Sequence, residues 1–257
     1  MLQDEIRNSF NGLKGDISIV LKDLKKGELI YQLNSERVVP SASTIKILIM
    51  IEALNQVLLG KYSLDQIICT KEEDRVSYSI ISELDGYSYT FKDLITLMII
   101  ISDNTATNVL IGLLGADNIN NMARELGFKY TRLRRKMMDF EASKQGRQNT
   151  TTAMDMAIMM ENLYNFSILN KSMCSLALDI LKKQKYKDML TRYISEDLVV
   201  AHKSGDLANL NHDIGIFYLP NTDYLLGVFV TDAENNNMTK HIIGKVSEIV
   251  YNHFSSI

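Results

Sequence analysis

Proline and cysteine are scarce in this 257-residue chain, at two residues each, and each scarcity excludes something. With so little proline, and no tract rich in Ser, Gly and Pro, no flexible linker is expected between separate bodies. Cys69 and Cys174 lie far apart and lack CxxC spacing, so they read as two reduced, partly buried thiols. His202, His212, His241 and His253 form no HExxH pattern and no cluster with acidic residues, which argues against a metal centre. The longest apolar run, residues 94–101 broken by Thr96, is too short to span a bilayer. Cations are not in excess either. A total of 28 Lys and Arg against 31 Asp and Glu gives a formal charge of −3, with no basic field to attract nucleic acid. Residues 1–8 are polar and lack the basic head, apolar stretch and cleavage site of a secretory signal. The expectation is a soluble monomer of cytoplasmic type, although an exported mature form would read the same. No nucleic acid, membrane, metal or cofactor is expected to bind.

What the chain does contain is ordinary globular material. Hydrophobic residues make up 46% and charged residues 23%, and the length is enough for a sizeable core. Residues 16–21 and 28–33 are short β-like runs around the turn residues 22–27, which predicts a hairpin. Residues 44–59 follow Pro40-Ser-Ala-Ser and precede Gly60, a helix bracketed by small hydroxyl residues and a glycine. Its segment from Ile45 onward is apolar nearly all round, which marks a buried helix. Helical patterns continue through residues 91–101, 104–114, 116–126, 152–164 and 171–182. The Met-rich stretch containing Met154, Met156, Met159 and Met160 reads as core filler. Residues 212–219 and 223–230 then alternate as strands, and a helix follows from about 237 to 254. Strands, many helices, strands and one helix predict an α+β fold: an α/β/α sandwich whose antiparallel sheet is formed by both termini. The α/β part covers about 1–40 and 195–257, with an all-helical part at about 41–194, in a single domain.

Three short patterns carry chemistry. Ser43-Thr-Ile-Lys46 is an S-x-x-K at the head of the most apolar helix. Three apart on a helix, serine and lysine share a face, and a buried lysine that loses its proton can activate a hydroxyl. The helix start also offers backbone N–H groups to a developing oxyanion. About one S-x-x-K is expected by chance in a chain of this composition, so alone it is weak. Ser102-Asp103-Asn104 reads locally as a helix N-cap, but it can equally aim a hydroxyl and a carboxamide into a cleft. Lys203-Ser204-Gly205, in a short strand ending in a small-residue turn, can anchor a carboxylate, with Gly205 permitting close approach and Asp206 N–H donating to an oxyanion.

Taken together and in this order, S-x-x-K, S-D-N and K-[ST]-G resemble the signature set of class A β-lactamases and penicillin-binding proteins. Their spacing also resembles the class A pattern, as do Pro40-Ser-Ala-Ser-Thr-Ile-Lys46, Ser102-Asp-Asn-Thr-Ala-Thr-Asn108, Thr131-Arg-Leu133 and Thr150-Thr-Thr152. The resemblance covers nearly the whole chain. It implies catalytic roles for four residues: Ser43 as nucleophile, Lys46 as base or relay, Ser102 as proton shuttle to the leaving nitrogen, and Lys203 as carboxylate anchor, with Ser204 binding the same carboxylate. It further implies that Asn104 holds the substrate amide, that Gly205 allows close approach, and that the N–H groups of Ser43 and Asp206 form an oxyanion hole. Substrates of this kind are small molecules: a β-lactam, an acyl-D-alanine-type peptide or an ester. Tyr78 matches the family's cleft-wall aromatic poorly and is expected to be a core or surface tyrosine.

One segment departs from the pattern. Class A enzymes carry a deacylating glutamate in a stretch resembling T-R-L-D-R-W-E-x-x-L-N. Here it reads Thr131-Arg-Leu-Arg-Arg-Lys-Met-Met-Asp-Phe-Glu141. Met137 stands where the glutamate belongs and Glu141 where the asparagine belongs, and the loop is one residue shorter than usual. At its neck Arg135 is expected to face Asn149 in place of the family's arginine–aspartate pair. Methionine cannot activate water. Either a shifted carboxylate, Asp139 or Glu141, serves deacylation, or the acyl-enzyme is long-lived. The readings left open are a β-lactamase-like hydrolase, a D,D-peptidase or esterase, and a sensor that is acylated once.

Overall fold

The computed structural model describes residues 1–256. In chain order the first part runs α1 (Leu2–Ser9), β1 (Asp16–Asp23), β2 (Glu28–Leu33), β3 (Val39–Pro40) and α2 (Lys46–Leu58). The middle holds β4 (Ile67–Cys69), β5 (Ser88–Thr90), α3 (Phe91–Ile100), α4 (Asn104–Leu114), α5 (Ala116–Glu125), α6 (Phe140–Lys144), β6 (Thr150–Thr151), α7 (Ala153–Tyr164) and α8 (Lys171–Leu181). The last part is β7 (Val200–Leu207), β8 (Leu210–Tyr218), β9 (Asp223–Thr231) and α9 (Asn236–Ser255). A 3-10 turn, Ala42–Ile45, leads into α2.

The five long strands form one antiparallel sheet in the order β2-β1-β9-β8-β7. Both faces are covered, which is why the strands are apolar at consecutive positions. On β1, Ile19 and Leu21 enter a core with Ile6, Ile243 and Phe254, so α1 and α9 cover that face. Val20, between them, enters the other core, with the buried residues of α2, α3, α7 and α8. β9 divides likewise, Leu226 and Val228 on one side and Leu225 and Phe229 on the other. The fold is therefore α+β, with helices on both faces of the sheet, as its sequence pattern predicts. Ile47, Leu48, Ile49, Met50 and Ile51 of α2 are all fully buried, a helix apolar all round and enclosed all round.

Three details differ from the sequence expectations. The buried helix begins at Lys46, so Ser43 sits in the tighter turn ahead of it. The strand carrying Lys203 does not end in a turn at Gly205; it stays paired with β8 as far as Leu207 opposite Leu210. Gly205 serves packing there, since a Cβ would lie 3.0 Å from Ala42 Cβ. The polar opening residues form α1, whose Ile6 is buried against α9. Both cysteines are free, Cys69 exposed and Cys174 buried. Among the described residues no helix is long and apolar enough to cross a membrane.

Candidate active site

The three sequence patterns meet at one cleft of about 830 Å³. Ala42 and Ser43 line its floor, Ser102 and Asn104 one side, Ser204 and Asp206 another, and Met137, Met138 and Phe140 the loop wall. Ser43 follows Ala42, whose φ of 45° is a left-handed value that a non-glycine residue holds only under constraint. The constraint is visible. Thr44 Oγ1 donates to Ser41 O at 2.6 Å, Ser41 N donates to Asn149 O at 2.8 Å, and β7 presses on the turn through Gly205. A Cβ on Gly205 would come within 3.1 Å of Ser43 N, so only glycine lets the strand run this close.

Lys46 is fully buried, and its amine donates to the Ser102-Asp103-Asn104 segment. It donates to Ser102 O at 2.7 Å, to Asn104 Oδ1 at 2.9 Å and to Ser102 Oγ at 3.0 Å. Those three acceptors satisfy all three ammonium hydrogens, and among the described residues no hydrogen bond joins Lys46 to Ser43. Lys203, also fully buried, donates to Ser204 O at 2.7 Å and to Ser102 Oγ at 3.2 Å. One hydroxyl thus receives both amines. Burial pushes the Lys46 ammonium well below the ordinary lysine range, the positive charge of Lys203 pushes the same way, and Asp103 opposes. Burial lowers Lys203 to about 7, against the pull of Asp213.

The Ser102-Asp103-Asn104 triplet performs the cap and the cleft role at once. Asp103 caps α4, its Oδ1 accepting from Ala106 N at 2.8 Å, and it also accepts from Ser79 Oγ and Ile81 N. With the middle residue committed to backbone, Ser102 turns through φ 56° and both flanking side chains reach Lys46. Asn104 also donates through Nδ2 to Ser77 O at 3.2 Å and through its backbone N to Tyr78 O at 3.3 Å. Tyr78, with φ 55°, is 82% exposed, a surface tyrosine as the sequence allows, and it also lines the cleft.

At the other end Asp206 is exposed. Its carboxylate accepts from Lys240 Nζ at 2.7 Å and Asn236 Nδ2 at 3.0 Å, and Lys240 also reaches Asp188 at 2.8 Å. Lys240, Asp188 and Arg135 all line the cleft, and no sequence pattern singles them out for it. Lys240 sits on the second turn of a helix with nothing in its neighbourhood to distinguish it from a surface lysine.

The loop wall lacks a carboxylate. Met137 is buried and held by its backbone, Asn108 Oδ1 accepting from Met137 N at 2.7 Å and Asn108 Nδ2 donating to Met137 O at 3.0 Å. Asp139 caps α6, accepting from Ala142 N at 2.9 Å, and faces a separate small pocket with Glu73 and Asp74. Glu141 is exposed and pairs with Lys144 at 2.8 Å. Neither acid is among the residues lining the Ser43 cleft. The neck is closed by Asn149, as the sequence suggests, but through backbone. Its Oδ1 accepts from Arg134 N at 2.7 Å and Arg135 N at 3.0 Å, and its Nδ2 donates to Arg135 O at 3.1 Å. Among the described residues no group of three or more His, Cys, Asp or Glu is arranged to hold a metal ion.

Comparison with known proteins agrees with this fold. A β-lactamase from Sphaerobacter thermophilus is similar over 100% of this chain and 97% of its own, at 26% identity and TM-score 0.90. An ancestral class A β-lactamase is similar over 99% and 100%, at 25% identity and TM-score 0.91. A mutant of PBP-A, solved as an acyl-enzyme complex with penicillin G, is similar over 100% and 96%, at 25% identity and TM-score 0.89. The family model described as the β-lactamase enzyme family matches residues 1–254. The chain belongs to the β-lactamase enzyme family.

Proposed function

We propose that this protein is a serine hydrolase that forms an acyl-enzyme on Ser43 with a β-lactam or with a related acyl-D-alanine-type peptide or ester. The observation that carries the reading is the meeting of two desolvated lysine amines on Ser102 Oγ, in the wall of the cleft that Ser43 also lines. A buried amine with a lowered pKa gives up its proton more readily than an ordinary lysine, and the neutral form can accept one from a hydroxyl. In the proposed step, Ser43 Oγ bonds to the carbonyl carbon while its proton passes to Lys46. The carbon–nitrogen bond then breaks, and Ser102 delivers a proton to the leaving nitrogen, regaining one from the lysine pair. Ser43 N–H and Asp206 N–H hold the oxyanion, and the contact at Gly205 favours that by bringing β7 against the turn. Lys203 and Ser204 receive the substrate carboxylate, and Asn104 binds its amide by exchanging a hydrogen bond it now gives to Ser77 O.

Deacylation is the slow half of this proposal. The carboxylates that line the cleft, Asp188 and Asp206, are paired with Lys240, and Met137 has no group that takes a proton from water. Asp139 or Glu141 can serve only if the loop rearranges, because both now face away from the cleft into other contacts. The reading nearest to the geometry is therefore rapid acylation with slow release, which a D,D-peptidase-like or sensor role shares. Intact mass after mixing with penicillin, alongside turnover of a chromogenic cephalosporin, tests it. A persistent adduct of one penicillin, absent in Ser43→Ala, with a single burst of cephalosporin cleavage, is expected. An unmodified protein that nevertheless cleaves the cephalosporin steadily overturns slow release, and an adduct that survives in S43A overturns the nucleophile.

A further inference from the structure

Two of the residues lining the cleft are basic, and their surroundings differ. Lys240 is held between Asp188 and Asp206. Arg135, on the loop wall, has no ion pair among the described residues. Its Nε and Nη2 donate to Gln148 Oε1 at 3.3 and 3.1 Å, and its Nη1 donates to Lys136 O at 3.1 Å. Both acceptors are neutral, and the Asp139 carboxylate pulls on the guanidinium only through space, from beyond ion-pair distance, so these bonds orient the charge without pairing it. Gln148 is itself fixed, its Nε2 donating to Ser143 Oγ. Five N–H groups less these three bonds leave two hydrogens without a protein acceptor. Around them Met137, Met138 and Phe140 make the wall apolar, and half-burial already lowers the guanidinium pKa from its ordinary value. An oriented, partly desolvated and unneutralised arginine beside a ligand cleft is the arrangement that recognises a carboxylate.

We propose that Arg135 forms an anion subsite on the loop wall, so that the preferred substrates carry a carboxylate on their acyl portion in addition to the one assigned to Lys203 and Ser204. This rests on the reading of Ser43 as the acylated residue. The substrate class is then a dianionic acyl donor, such as a peptide whose residue on the acyl side of the scissile bond bears a free carboxylate. Arg135 takes no part in bond making; it sets specificity.

Benzylpenicillin and its α-carboxybenzyl analogue differ by one carboxylate on the acyl side, and they test the subsite directly. The second-order rate of adduct formation, read by mass, should favour the α-carboxy compound by ~10-fold, the scale of one charge-assisted hydrogen bond. Arg135→Gln should abolish the preference, Arg135→Lys should keep part of it, and raised ionic strength should shrink it. Gln148→Glu provides a control for loop damage, because it keeps an acceptor beside Arg135 while neutralising the charge, and it too should erase the preference. Equal rates for both penicillins in the wild-type protein, or an unchanged preference in R135Q and Q148E, overturn the subsite. If neither penicillin forms an adduct, the Ser43 reading fails separately. Calorimetric binding of the same pair to S43A then decides the subsite without chemistry: tighter binding of the α-carboxy compound that R135Q removes supports it, and equal affinity overturns it.

Discussion

The two walls of the cleft are built on opposite principles. On the β7 side, Lys203, Ser204 and Gly205 belong to a strand paired along its length, the lysine is fully buried, and the backbone packs against Ser43 with room for no added methyl. On the loop side, residues 135–149 are held by one buried asparagine at each of two points, Asn108 and Asn149, and the side chains between them are methionine, phenylalanine and exposed acids. On the proposed reading, the strand wall serves attack on a carbonyl, and the loop wall lacks a group to direct water at the product of that attack. The difference then teaches that acylation and deacylation are separable, because different segments with different anchoring would supply them.

The largest effect should come from giving the loop wall what it lacks. Met137→Glu places a carboxylate in the cleft while Asn108 still holds the backbone, so release of the penicilloyl adduct should accelerate by ~10²–10³-fold, within the range of general-base catalysis. Burying an ionised carboxylate costs more than the ~1–3 kcal/mol of a neutral polar group, so a lowered Tm should accompany the gain. An adduct as long-lived as before would show that the missing glutamate does not explain the difference between the walls. Next in size is damage to the strand wall. Gly205→Ala must shift the turn or the strand by a few tenths of an ångström, and that misplacement should slow acylation by about 10-fold while leaving adduct decay unchanged. Decay changing in step with acylation would mean the walls are not independent.

The pH profile separates them by charge. With Lys203 at about 7, the second-order acylation rate should fall as pH rises through that value, approaching a tenfold loss per unit, because the neutral amine no longer attracts a carboxylate. Lys46 already sits well below the ordinary lysine range, so its base form is not what fails on the alkaline side. Lys203→Arg, which stays charged, should move the limb upward. A limb that stays in place in K203R would assign it to another group. Smallest of all should be Asp139→Ala and Glu141→Ala, each changing adduct decay by less than about 2-fold, as for exposed loop acids. A tenfold slowing in either would restore a shifted carboxylate to the loop wall.

Which parts could be read beforehand follows from how locally they are specified. Ser43–Lys46, Ser102–Asn104 and Lys203–Gly205 are contiguous, and each sits at a helix start, cap or strand that its own residues dictate, so their convergence was legible. The two-faced burial of β9 was not legible: residues 223–230 read as an alternating strand, whereas nearly every position is buried because helices cover both faces of the sheet. Lys46 donating to Ser102 and Asn104 was not legible either, because side-chain direction depends on where α4 packs. Tyr78 depends on backbone bonds from Asn104, 26 positions later, which no local pattern encodes. Lys240 and Asp188 meet only because α9 folds back over β8 and β9, and the distance along the chain hides the ion pair.

The sheet order has a bearing on biosynthesis. β1 and β9 are neighbours, Asp16 opposite Thr231 and Asp23 opposite Tyr224, so the second strand of the sheet waits some two hundred residues for its partner to leave the ribosome. Contacts of such long sequence separation slow folding, and unpaired apolar strand edges invite aggregation meanwhile. The emerging polypeptide therefore passes through a prolonged stage in which β1–β2 is a hairpin with an open edge, a stage at which chaperone capture competes with self-association.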